Sequence, residues 1–170
     1  RDLLQEVKGI VASDVKNKKL NLSLDTTEVT EDNVVCDKVK LEKAILNCVT
    51  NAVKFTPLQG SIWLKISQIP SENVALGKYL FTIKDSGIGM SPQFIEHIFE
   101  PFERERSAKM PGIQGTGLGM SITKNIVDMM GGRIWVESTK DIGTRVFVQL
   151  CLLISEDEAE NANAEAGLPD

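Results

Sequence analysis

Long apolar runs are missing from this chain of 170 residues. No stretch reaches the roughly 18 consecutive apolar residues of a transmembrane helix, and no signal-peptide pattern opens it. Histidine is nearly absent, with His97 alone. Cysteine is sparse: Cys36, Cys48 and Cys151 lie in apolar contexts without metal-ligand spacing. They are expected to be reduced core residues of a cytoplasmic protein. A basic footprint for nucleic acid is also lacking, since the net charge is −5. That charge is unevenly spread. Residues 155–170 hold six acidic residues and no basic one, so residues 1–154 carry a net +1. The body is expected to be a near-neutral domain and the tail a disordered linker. At 42% apolar and 25% charged, the chain as a whole is ordinary for a globular protein, and no membrane contact is expected of it. The chain starts at Arg1 inside a helical pattern, which reads as a piece of something longer.

What is present is a legible series of elements. Leu3, Leu4, Val7, Val11 and Val15 share one helical face over residues 2–18, and "LNLSL" at 20–24 alternates as a strand. Asp37 is a suitable N-cap for a helix over 38–54. Residues 61–69 and 78–85 alternate with period two. Ser91-Pro92 starts a short helix to about Phe99. Residues 103–116 have charge and glycine without periodicity, which predicts a mobile loop. A helix follows from about Gly117 to Met130, then strands over 133–138 and 144–154 that form a hairpin. A short further strand before the second helix is left open. Too few helices are present for a doubly wound sheet, so the order predicts a two-layer α/β sandwich, a mixed sheet with helices on one face. Trp63, Trp135, Met120, Met129 and Met130 are all expected in the core.

Three features carry chemistry. In "AILNCVTNAVKFTP", residues 44–57, the polar residues Asn47, Asn51 and Lys54 share one face of an otherwise apolar helix. Asn oxygens suit Mg²⁺, and a Lys ammonium suits phosphate. Residues three or four apart lie about 5–6 Å from each other on a helix, so the two Asn side chains can work beside one ion. "DSGIGM", 85–90, follows a strand, and Asp85 can accept the exocyclic amino group of adenine, which guanine lacks. "GTGLGM", 115–120, precedes a helix, where bare amides favour phosphate. Neither cluster fits the dinucleotide or P-loop pattern. Taken singly, each has an ordinary reading as well: a turn-capping Asp, turn glycines, or a helix face bonded to a loop.

In order, "LNCVTNAVKF", "DSGIGM", "FEPF" and "GTGLGM" resemble the four nucleotide-binding boxes of sensor histidine kinases. The resemblance covers residues 1 to about 153 and is most like bacterial hybrid sensor kinases. It implies the Bergerat fold of the GHKL superfamily, and a catalytic ATP-binding domain alone. It also implies roles. Asn51 would ligate Mg²⁺ with Asn47 assisting, Lys54 would meet phosphate, and Phe55 would pack beside the nucleotide. Asp85 would accept from adenine, with Gly87, Ile88, Gly89 and Met90 lining the base. Phe99 and Phe102 would anchor a lid, and Arg104 would reach the terminal phosphate. Gly115, Thr116, Gly117, Leu118 and Gly119 would hold phosphates and close the pocket. Gly143-Thr144 sits where many relatives carry a further small nucleotide-contacting motif.

The resemblance further implies transfer of the ATP γ-phosphoryl group to a histidine on a separate helical-hairpin domain upstream. A response regulator or receiver domain would be the later partner, and the full-length protein a homodimer. His97 precedes Ile98 rather than an acidic residue, so it is expected to be a surface or packing histidine. GHKL ATPases carry a water-activating Glu where this chain has Asn47, which favours transfer over hydrolysis. The competing readings are a GHKL ATPase and a regulatory pseudokinase that docks partners.

Overall fold

The computed structural model describes residues 1–102 and 119–155. Helix α1, Asp2–Asn17, lays Leu4, Val7 and Val11 into the interior, as the spacing predicts. Strand β1, Asn21–Glu28, runs four residues past its alternating stretch, and the two-residue β2, Val34–Val35, fills the position left open. Helix α2, Lys38–Phe55, is capped by Asp37, whose Oδ1 accepts from the Lys40 amide at 3.1 Å. Strands β3, Ser61–Ile69, and β4, Leu76–Asp85, follow. Helix α3 is only Pro92–Ile95, shorter than predicted, with Ser91 as its cap. Helix α4 is Gly119–Met129, and β5, Arg133–Thr139, and β6, Gly143–Ile154, complete the chain.

The six strands form one sheet in the order β1-β3-β4-β6, with β5 and β2 both paired to β6. β5 pairs along residues 143–149, and β2 pairs at residues 153–154. Only β1 and β3 are parallel; the other pairings are antiparallel. The sheet is therefore mixed, and the two-layer α/β sandwich with helices on one face is the observed architecture.

Alternation sorts each strand's residues to two faces. Ile62, Leu64 and Ile66 of β3, Tyr79, Phe81 and Ile83 of β4, and Val146, Val148, Leu150 and Leu152 of β6 are buried. They meet Leu4, Val7 and Val11 of α1, Ile45 and Val49 of α2, and Met120 and Val127 of α4 in one core. The opposite face has no helix over it among the described residues. This corrects several expectations. Trp63 is 39% exposed, with Lys84 Nζ 4.7 Å from its ring centroid. Trp135 lies on the same open face, stacked on Phe147 at 5.1 Å and under Arg133. Cys151 is exposed there too, while Cys48 is buried and Cys36 half-buried; all three thiols are free. Met129 is on the outer side of α4 and exposed, unlike Met120. In each case the residue is apolar but its phase in the strand or helix points away from the single core. No helix among the described residues is long and apolar enough to cross a membrane.

Leu64 is fully enclosed and its neighbour Trp63 is not. Leu64→Ala should therefore cost about 2–5 kcal/mol in urea unfolding, the range for truncating a buried Leu. A cost under about 1 kcal/mol would contradict the placement of the core.

Candidate functional site

The apolar stripe of α2 buries Leu41, Ala44, Ile45, Cys48, Val49, Ala52 and Val53. That rotation leaves Asn47, Asn51 and Lys54 half-buried along the adjoining stripe. The stripe faces the start of α4. Asn47 Nδ2 donates to the Gly119 carbonyl at 3.4 Å, and the Thr123 hydroxyl donates to the same oxygen at 2.9 Å. A Cβ on Gly119 would lie 3.9 Å from Asn51 Nδ2. Lys54 Nζ sits 5.9 Å from the Phe55 ring centroid. The two Asn residues and Gly119 are thus one cluster, at a helix N-terminus where partial positive charge collects.

The second cluster forms where β4 ends. Asp85 faces the helical layer and is almost enclosed. Its Oδ1 accepts from the Gly87 amide at 2.8 Å and the Thr144 amide at 3.3 Å. Burial pushes its carboxyl up from the ordinary 3.8 to about 6, and the two amide bonds pull against that rise. The loop after Asp85 is tied on both sides. On the α2 side, the Ile88 amide donates to the Phe55 carbonyl at 3.2 Å, and any Cβ on Gly87 would come within 2.6 Å of that oxygen. On the β5–β6 side, the Met90 amide donates to Ser138 Oγ at 2.9 Å, and the Asp141 amide donates to the Ile88 carbonyl at 2.7 Å. Ser138 Oγ donates in turn to the Gly143 carbonyl at 3.0 Å and lies 2.8 Å from Thr144 Oγ1. Gly89 has φ of +65°, and a side chain there would overlap the Thr139 carbonyl, so only glycine fits.

The structure therefore brings Asn47 and Asn51 together with Gly119, and Asp85 and Gly87 together with Thr144. Phe55 touches Gly87 and Ile88, and α2 joins the two clusters. Arg104, Gly115, Thr116, Gly117 and Leu118, and the loop predicted over 103–116, lie outside the described residues. Phe99 packs partly against the core, and Phe102 is 72% exposed at a left-handed φ of 64°. The lid that the two rings are expected to anchor lies outside the described residues. His97 is exposed, with Nδ1 3.0 Å from Glu100 Oε1, as a surface histidine should be. Ser138 and Asp141, which hold the glycine loop, escaped the sequence reading. Their only signal is a run of polar residues flanking the β5–β6 turn.

No group of three His, Cys, Asp or Glu among the described residues could hold a metal ion. A cation here would have to use amide oxygens, as a hard ion that keeps its waters and bridges phosphates can. A family model for histidine kinase-, DNA gyrase B- and HSP90-like ATPases matches residues 36–154. The chain belongs to that family. Within it, the chain is 34% identical over 95% of its length to the sensor histidine kinase GacS of Pseudomonas protegens, of which it spans 17%. Full-length ShkA, solved in complex with AMPPNP, superposes with a TM-score of 0.75 at 25% identity, over 91% of this chain and 30% of that one. The catalytic domain of the histidine kinase ThkA shares the fold, with a TM-score of 0.73 at 24% identity over 88% of this chain and 92% of that one. This ATPase-family domain thus corresponds to a small part of its curated relatives and to nearly the whole of a solved histidine kinase catalytic domain.

The buried Asp85 has a stability consequence. Its carboxyl is raised in the folded state, so folding favours the protonated form. Its penalty is absent below about pH 4, grows between about pH 4 and pH 6, and is complete above that window. A rise of about two units corresponds to ~3 kcal/mol. Asp85→Asn keeps an oxygen for the Gly87 and Thr144 amides and removes the charge. The ligand-free variant should be more stable than the native domain by about 1–3 kcal/mol at pH 7.5, and the gain should vanish near pH 4. Urea unfolding at both pH values checks this, and a pH-independent difference would refute it.

Proposed function

We propose that this domain binds Mg·ATP between α2, the 85–90 loop and the start of α4, and transfers the γ-phosphoryl group to a histidine of a separate helical-hairpin domain of the same protein. The observation that carries this reading is the buried, amide-braced Asp85, placed on the same face as Asn47 and Asn51. A carboxylate so costly to bury needs a ligand that repays the cost, and the exocyclic amino group of adenine is a matching donor. Asp85 Oδ2 is the acceptor, and Gly87, Ile88, Gly89 and Met90 line the base. Phe55 packs beside the nucleotide. Thr144 braces Asp85 from β6.

Asn51, assisted by Asn47, holds Mg²⁺, which when bound neutralises charge on the phosphates. Lys54 meets phosphate as a point charge, and Arg104, Gly115, Thr116, Gly117, Leu118 and Gly119 complete the phosphate end. The attacking histidine nitrogen forms a bond to the γ-phosphorus as the bond to the bridging oxygen breaks. ADP leaves with that electron pair. Nothing at Asn47 can deprotonate water, so hydrolysis is the slower path. Residues 1–154 act as the folded unit and the acidic residues that follow as a linker. The parent protein works as a homodimer and passes the phosphoryl group to a response regulator or receiver domain. Family membership and the kinase names among its relatives support this.

The test uses labelled ATP. The domain alone should bind Mg·ATP but neither label itself nor release phosphate appreciably. Adding the matching hairpin domain should restore labelling of that domain's histidine, and Asn51→Ala should abolish it. Robust phosphate release by the domain alone would favour an ATPase, and labelling of His97 would overturn the nucleophile.

Adenine recognition has its own measurement. A hydrogen bond to a charged acceptor is worth about 1.5–3 kcal/mol, so Asp85→Asn should weaken ADP binding at least about tenfold by calorimetry. Unchanged affinity would remove Asp85 from the base site.

A further inference from the structure

Lys18 closes α1, with its amide donating to the Asp14 carbonyl at 3.0 Å. The next residue, Lys19, takes a left-handed φ of 53° and sends the chain into β1. The Lys18 side chain goes elsewhere. Its Nζ donates to the Val53 carbonyl at 2.7 Å and the Lys54 carbonyl at 3.2 Å. Both carbonyls lie in the last turn of α2, where helix geometry leaves acceptors without intrahelical donors and partial negative charge collects. The Lys18 carbonyl accepts from the Gln59 amide at 3.0 Å. One residue thus grips the end of α2 and the turn that leads on to β3.

What depends on that grip is the glycine loop. The residue after Lys54 is Phe55, whose carbonyl receives the Ile88 amide and packs against Gly87. Beyond the turn, the Ser61 amide donates to Ser86 Oγ at 2.9 Å, and the Ser86 amide donates to the Ser61 carbonyl at 3.0 Å. The attachments of residues 86–88 on the α2 and β3 side therefore rest on the segment that Lys18 holds, while the Asp141 amide ties the Ile88 carbonyl from the other side. Burial lowers the Lys18 ammonium below its ordinary range, with Asp14 opposing.

We propose that Lys18 is a positioning residue of the nucleotide site: its ammonium fixes the last turn of α2 and with it the Phe55 carbonyl, the α2-side anchor of the base-binding loop, and so joins α1 to the adenine end of the site. This rests on the nucleotide-binding reading. α1 also packs on α2 through the core, and Lys18 adds a polar link to the turn of α2 from which the loop is held.

Lys18→Met keeps the aliphatic stem and removes charge and donors, and Lys18→Arg keeps a cationic donor. Leu64→Ala serves as a core-destabilised control. In the nucleotide-free Lys18→Met protein, hydrogen exchange at the Ile88 amide should accelerate more than at Val148. Its ADP affinity should fall about fivefold, and its preference for ATP over GTP should narrow, because the loop that reads the base is displaced. Lys18→Arg should recover most of each effect, and Leu64→Ala should leave the base preference intact. The proposal is overturned if Ile88 and Val148 accelerate equally, or if Lys18→Met binds ADP as the native domain does. A native domain that bound no ADP, yet showed the Ile88 effect, would remove the nucleotide reading and leave the Lys18 link standing.

Discussion

The placement of one carboxylate at the buried end of β4 constrains most of the surrounding backbone. Asp85 is kept from water, and two main-chain amides reach the same oxygen to offset that. One comes from the loop that follows and the other from β6, so the β4–β6 pairing must bring Asp85 opposite Thr144, as it does. Gly143 follows from the same demand, because any side chain there would strike the Asp85 carbonyl. The sheet register, the turn before β6 and the glycine spacing are in this sense one solution to one electrostatic problem.

Much of this was legible because local patterns were strong. The β3 limits, 61–69, coincide with the alternating run, and Asp37 caps α2 where its side chain and the following apolar stripe require. The departures have identifiable origins. Residue type alone puts Trp63 in the core, whereas Ile62, Leu64 and Ile66 already occupy the inward phase of β3. Met129 fails in the same way on α4. β2 is two residues long, below the length at which any period exists.

The site divides along a similar line. Asn47, Asn51, Lys54, Asp85 and the glycines announce themselves because polar or bare residues interrupt patterns that would otherwise be apolar. Ser138, Asp141 and Lys18 interrupt nothing. Their contacts span 35 to 53 positions in sequence or depend on main-chain atoms, and ordinary surface residues of the same kind would look identical. Local reading therefore finds the atoms that face a ligand more readily than the atoms that hold them in place.

The open face of the sheet has an optical consequence. The protein's two tryptophans, Trp63 and Trp135, both lie there, each beneath a cation, and neither borders the Asp85 loop or the Asn cluster. Intrinsic emission excited near 295 nm therefore samples the solvent side of the sheet and is nearly silent about the helical side. Quenchers, and macromolecules that approach from the uncovered side, would register in that signal. A fluorescent base analogue seated among the glycines would in turn be read with little background from the protein.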